Sequence, residues 1–535
     1  MKNKFIYLSI LALGFASCDS DFKNEINGDT YHSGDADFSS YVAVGNSLTA
    51  GYMDGTVFRS GQKNSFPNIL AGQFAVAGGG EFTQPSFEED VNNLGGITGI
   101  PGFGTRLIIN ASAGGPENIN GTSTITLTPQ AKAFNNMGVP GAKSFHLLVP
   151  GYGSAANLPN ANPYFIRHAT SASATVLGDA MTMNPTFFTN WIGANDVLTY
   201  ATNGGANADG NTPAVDHNET GNTNPLTYGN NDITNSAVFA GIYNLIINGG
   251  THPLLGQVTG LAQNGAKGVV ATIPSVTAIP YFTTVPYNPL TPAALGGEAN
   301  IATLNAQIYG PLAQVFTAYG EPNRVKLLSN TETNPILIID VDAADRTAQI
   351  TGALTPVLGA QMAAAFGQVY GKARQATASD LVVLPASSVI GKVNDAAPSP
   401  LINLNGVTFP MANKWVLTPT EQTKVASATT AYNNAIRSIA DANGIAVADM
   451  NAIMNQLADF GKGLTTEDGQ TYYANYFSTS KLHTTLFSLD GIHPNAKGYA
   501  IVANEIIKVI NKHYNAHLPL VNASSYPGAT ILLSN

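Results

Sequence analysis

Residues 41–51, Y-V-A-V-G-N-S-L-T-A-G, pass from a short apolar run directly into a turn bracketed by two glycines. The run reads as a buried strand, and the turn exposes Ser47 at the strand's end. The same pattern returns downstream. Residues 185–192 form an apolar and aromatic run that stops in Gly193-Ala194-Asn195-Asp196, and residues 134–150 hold Asn136-Met137-Gly138-Val139-Pro140-Gly141 before another apolar run at 145–149.

Helical signals lie between such runs. Thr418-Pro419-Thr420-Glu421 is a capping box with proline at the first helical position, and Val425, Ala428, Tyr432, Ile436 and Ile439 continue at three- and four-residue spacing. Asn443-Gly444 stops that helix, and 445–448 reads as a strand. Residues 237–247 and 355–370 read as helices, each followed by a short apolar strand at 268–273 and 381–384. Helices alternating with short β-branched strands imply an α/β fold: a mostly parallel sheet covered on both faces.

Apolar residues make up 44% of the 535 and charged residues 11%, with 54 glycines and 30 prolines, which describes a folded chain with long, turn-rich loops. A formal charge of −10 without a basic stripe excludes a nucleic-acid surface. Residues 1–18 read as an export signal: Lys2 and Lys4, an apolar run at 5–15 too short to span a bilayer, then Phe15-Ala16-Ser17 before Cys18, the only cysteine. This ending resembles the lipobox of bacterial lipoproteins, which implies lipidation at Cys18, a membrane anchor and an outer-membrane location. Residues 19–38 read as a polar tether. The remainder divides into one domain at 39–517, with insertions near 74–130, 199–235 and 275–415, and a tail at 518–535. Asp209, Asn211, Asp216 and Glu219 have no calcium-loop spacing and read as a solvated loop.

Residues 487–499, F-S-L-D-G-I-H-P-N-A-K-G-Y, set Asp490 three positions before His493, ahead of an amphipathic helix at 496–510. An acid so close can hold one imidazole nitrogen and leave the other to take a proton. Of nine histidines, only His493 has this setting; His483 lacks it, and His146 sits in an apolar run as a core histidine. A serine hydroxyl is a weak nucleophile until such a base removes its proton, and Ser47 is the candidate.

Four blocks, Gly45-Asn46-Ser47-Leu48, Asn136-Met137-Gly138, Gly193-Ala194-Asn195-Asp196 and Asp490-Gly491-Ile492-His493, resemble in order those of the SGNH (GDSL-like) hydrolases. The resemblance implies a three-layer α/β/α sandwich of flavodoxin-like type and a serine esterase. It implies Ser47, His493 and Asp490 as the triad, and Ser47 N–H, Gly138 N–H and the Asn195 amide as oxyanion donors. Neither metal nor cofactor is implied, and the substrate is a small-molecule or polysaccharide ester, lipid or acylated carbohydrate. One departure is Asn46, where the family name has Asp. The rival expectation is a surface-anchored binding protein that keeps the fold without catalysis.

Overall fold

The computed structural model describes residues 30–85, 89–110, 115–253, 255–478, 480–481 and 484–532. The export signal, Cys18, the first part of the tether and His483 lie outside the described residues.

Five strands form the central sheet: β1 (Tyr41–Gly45), β2 (Asn136–Gly138), β3 (Phe187–Trp191), β4 (Lys267–Ala271) and β5 (Ala446–Ala448). All neighbours are parallel, in the order β2-β1-β3-β4-β5. Every residue of β1, β2 and β3 is buried, as expected of parallel strands covered on both faces. The chain leaves β1 toward β2 and then crosses back to β3 on the other side. The order therefore reverses between β1 and β3, and ligands in open parallel sheets bind beyond the carboxyl ends of the strands at such a point. Gly45 is level with Gly138 on one side and Trp191 on the other, so three strands end together at that edge.

Eight helices matter for the site and its support: α1 (Ser47–Ala50), α2 (Phe66–Ala75), α3 (Val176–Thr182), α4 (Asn195–Thr202), α5 (Ser236–Asn248), α6 (Pro419–Ala442), α7 (Met450–Ala458) and α8 (Ala496–His513). α2 packs on α8 in one layer; α6 packs on α5 and α4 in the other, and both α6 and α8 touch β4 and β5. The sequence periods explain these contacts. In α6 the apolar stripe Val425, Ala428, Tyr432 and Ile436 is buried, and Thr418 and Glu421 close the capping box at its start. In α8 the stripe Tyr499, Ile506 and Ile510 is buried, and Asn495 caps Gly498 N–H at 2.9 Å.

Several expectations change. The strand expected at 381–384 is shortened to Leu381–Val382 and pairs antiparallel with Val416–Leu417, outside the central sheet. An apolar run of that length cannot be told by period from a ribbon in the 275–415 insertion. The run at 145–149 is a 3₁₀ turn, Ser144–Leu148. Residues 30–38 are not tether: the Asp35 N–H bonds Tyr514 O at 2.7 Å, and buried Phe38 stacks on Phe74 at 4.1 Å. The tail also docks, burying Leu518 and Ala523 and pairing Ile531–Leu532 with Leu107–Asn110. That last strand pairs with Gly115–Asn118 as well, so the 74–130 insertion carries a small sheet of its own.

Candidate active site

Ser47 begins α1 immediately after β1. Asn46 caps that short helix, its side chain accepting the Leu48 N–H at 3.0 Å, so the asparagine at this position supplies the acceptor that an aspartate would. The turn aims the Ser47 hydroxyl at the loop before α8. There His493 Nε2 lies 2.8 Å from Ser47 Oγ, and His493 Nδ1 lies 2.9 Å from Asp490 Oδ2. The other carboxylate oxygen, Asp490 Oδ1, accepts the N–H groups of Ile492 at 2.8 Å and His493 at 2.9 Å. Burial by itself would raise the Asp490 pKa, but the adjacent His493 and these hydrogen bonds hold it below the ordinary carboxylate value.

The segment after α1 braces this loop from behind. The Tyr52 ring lies against the His493 imidazole at 4.6 Å between centroids, and the Gly55 N–H reaches Asp490 Oδ2 at 3.3 Å. Asp54 is buried between them; its N–H is held by Ser488 Oγ at 3.0 Å, and its Oδ1 accepts the Leu489 N–H at 3.0 Å. Burial, reinforced by nearby Asp490, pushes the Asp54 carboxyl up to about 7, against the lowering effects of the Leu489 N–H and Arg106. Nothing in the sequence singled out Tyr52 or Asp54. A polar residue a few positions past a strand-end serine was the only signal.

Asn195, at the start of α4, lines the same cleft as Ser47 and His493. One amide hydrogen is used on Ala142 O at 2.9 Å, which leaves the second for a ligand. Neighbouring Asp196 is structural. It is fully buried, and its carboxylate accepts both the N–H and the hydroxyl of Ser144 at 2.8 Å, tying α4 to the loop after β2.

Gly138 is placed differently from expectation. Its N–H bonds the Asn136 side chain at 3.0 Å, so that donor is already engaged. Its lack of a side chain serves packing instead, since a Cβ there would stand 2.3 Å from Ala50 N. The available donor is three residues on. The Ala142 N–H bonds Val139 O at 3.1 Å, and Gly141 has φ +79°, which together describe a type II turn with Pro140 and Gly141 at its centre. The Gly141 N–H has no hydrogen-bond partner among the described residues, and the Asn195–Ala142 bond draws this turn to Asn195. The Pro-Gly pair was the sequence signal that could have picked the second glycine.

The model of the family GDSL-like Lipase/Acylhydrolase matches residues 338–506, a span that includes β5, α7, Asp490 and His493. That match supports the SGNH/GDSL hydrolase family over this part of the chain. The match begins within the 275–415 insertion, so the blocks at Ser47, Gly138 and Asn195 precede it. Neither the curated proteins nor the solved structures contain a match. The parallel sheet flanked by helices is the α/β arrangement expected of an SGNH fold, and the match to an acylhydrolase family supports ester hydrolysis. Among the described residues no group of three or more His, Cys, Asp or Glu is arranged to hold a metal ion.

Proposed function

We propose that the protein is a serine esterase that cleaves carboxylic esters of lipids or acylated carbohydrates through a covalent acyl-enzyme. The observation that carries this reading is the continuous relay Ser47 Oγ, His493 Nε2, His493 Nδ1, Asp490 Oδ2, with contacts of 2.8 and 2.9 Å.

Ser47 Oγ attacks the ester carbonyl carbon as its proton passes to His493 Nε2, giving a tetrahedral oxyanion. The Ser47 N–H, the Gly141 N–H and the free Asn195 amide hydrogen are the donors assigned to that oxygen; each such donor is worth about 100- to 1,000-fold in rate. Collapse expels the alcohol, which takes the proton from His493. Water then adds to the Ser47 ester with His493 again as base, and the acid leaves as Oγ recovers its proton. Asp490 fixes the imidazole tautomer and balances the transient imidazolium.

Export and lipid attachment at Cys18 belong to the same proposal, and metabolic labelling with a radioactive fatty acid, lost in Cys18→Ala, tests them. For catalysis, a fluorophosphonate probe is expected to label the wild type at Ser47. Labelling should vanish in Ser47→Ala and be greatly slowed in His493→Ala. A wild type that resists the probe would show a silent fold.

A further inference from the structure

The cleft at Ser47 is walled largely by hydrocarbon. A second cleft, of about 430 Å³, shares none of its lining residues with the first and differs from it in chemistry. Gly141, whose N–H is assigned to the oxyanion, lines this second cleft, and so does Thr199, one helical turn past Asn195 on α4. Two elements of the candidate active site thus continue into it. Its size falls within the roughly 300–1,000 Å³ of small-molecule sites.

Its polar groups are fixed by bonds to the fold and keep capacity to spare. His146 Nδ1 accepts the Lys143 N–H at 3.1 Å, and burial pushes the His146 pKa down to about 3, so the neutral ring carries its proton on Nε2. That Nε2–H has no hydrogen-bond partner among the described residues. The ring stacks on Tyr152 at 4.5 Å, and the Tyr152 hydroxyl accepts the Asn162 amide at 3.0 Å, which leaves the hydroxyl hydrogen free. Asn157 and Asn231 donate to Gly151 O at 3.0 Å and Ala206 O at 2.8 Å, and their side-chain oxygens stay open. Tyr228, stacked on His217 at 3.7 Å, adds a half-buried ring to the wall.

Donors and acceptors interleaved with ring surface match a neutral sugar, whose edge carries hydroxyls that both donate and accept and whose face carries C–H groups. Groups already held in place lose little freedom on binding. An anion has less to gain here. Lys143, the one charged lining residue, gives its Nζ to Asp232 O at 2.7 Å and has the carboxylates of Asp196 and Asp232 close by to balance it. A peptide strand would need a sheet edge, whereas short helices, 3₁₀ turns and loops build these walls.

We propose that this cleft is a binding site for neutral sugar rings, held by His146 Nε2, the Tyr152 hydroxyl and the side-chain oxygens of Asn157 and Asn231. The inference goes beyond the esterase reading, since the sugar needs no ester to bind here. When occupied, the site keeps a glycan beside the nucleophile.

The test is titration calorimetry on Ser47→Ala, which turns over no ester, with unesterified cellotetraose, xylotetraose, mannotetraose and N-acetylchitotetraose. At least one should bind with a Kd of about 1 mM or tighter. Adding Tyr152→Phe or Asn157→Ala, each of which removes one sugar contact and keeps the surrounding bonds to the backbone or replaces an exposed side chain, should weaken that binding at least about threefold. Circular dichroism checks that each variant folds. No binding by any of the four, affinity that survives both substitutions, or tighter binding of inorganic phosphate than of every sugar overturns the proposal. Fluorophosphonate labelling of the wild type is read separately, so a failed sugar site leaves the serine esterase standing, and an unlabelled protein that binds sugar leaves the site standing.

Discussion

Asp54 and Leu489 stand 435 positions apart in the chain and are joined by a 3.0 Å hydrogen bond from the Leu489 N–H to Asp54 Oδ1, directly behind the Asp490–His493 turn. The bond fastens the loop that carries the acid and base to the segment that follows the nucleophile. Because burial sets the Asp54 carboxyl near 7, the folded protein keeps a proton that the unfolded chain gives up near pH 4. The stabilisation is complete below about pH 4 and is lost as pH rises through about 7. Asp54→Asn keeps an acceptor for Leu489, tolerates the positive φ of 52° and removes the titration. Its thermal midpoint relative to wild type should therefore rise between pH 5 and pH 8. An unchanged difference across that range would count against the buried carboxyl.

Asp490 has the opposite sign. Its folded pKa lies below the unfolded value, so its contribution to stability is present above the ordinary carboxylate range and is lost as pH falls through the folded value. Asp490→Asn should lower kcat by about 10³- to 10⁴-fold, since the amide presents the wrong partner to His493 Nδ1. Steady-state kinetics on a soluble ester measures this, and a loss below tenfold would remove Asp490 from the relay.

The oxyanion assignment separates two residues that the sequence had grouped. Asn195→Ala should reduce kcat about 100- to 1,000-fold with little change in KM, because its free hydrogen meets the oxygen most strongly in the transition state. Gly138→Ala should damage folding as well, since the new methyl would collide with the backbone of Ala50. Comparing thermal midpoints with kcat for the two variants tests the distinction.

Asp196 provides a control beside the site. Asp196→Ala leaves the buried Ser144 N–H and hydroxyl without their acceptor and should destabilise by about 1–3 kcal/mol or more. Chemical denaturation reads this loss. An Asp196→Ala protein of wild-type stability would mean that the α4 tie to the β2 loop contributes nothing.

Local sequence was enough for the helices with clear caps and stripes, α6 and α8, because capping and a 3.6-residue period are properties of neighbouring residues. It also singled out Ser47, Asp490 and His493, since a strand-end serine and an Asp-x-x-His turn each have a chemical reason visible within a few positions, and the fold brings the three into hydrogen-bond contact. Residues 381–384 misled because a short apolar run carries no record of which strand it will pair with. The choice between Gly138 and Gly141 depended on where one N–H pointed, and Asn136 decided that by taking up the first. Whether 30–38 would pack rested on the distant chain end around Tyr514. The sequence alone determined the alternation of strands and helices and the residue types that chemistry needs. Only tertiary structure decided that β1 and β3 lie side by side, bringing residues 446 positions apart to within 2.8 Å, and that the cleft beside them is walled by hydrocarbon. Such proximity comes from the burial of surfaces contributed by the whole chain, which no local pattern encodes.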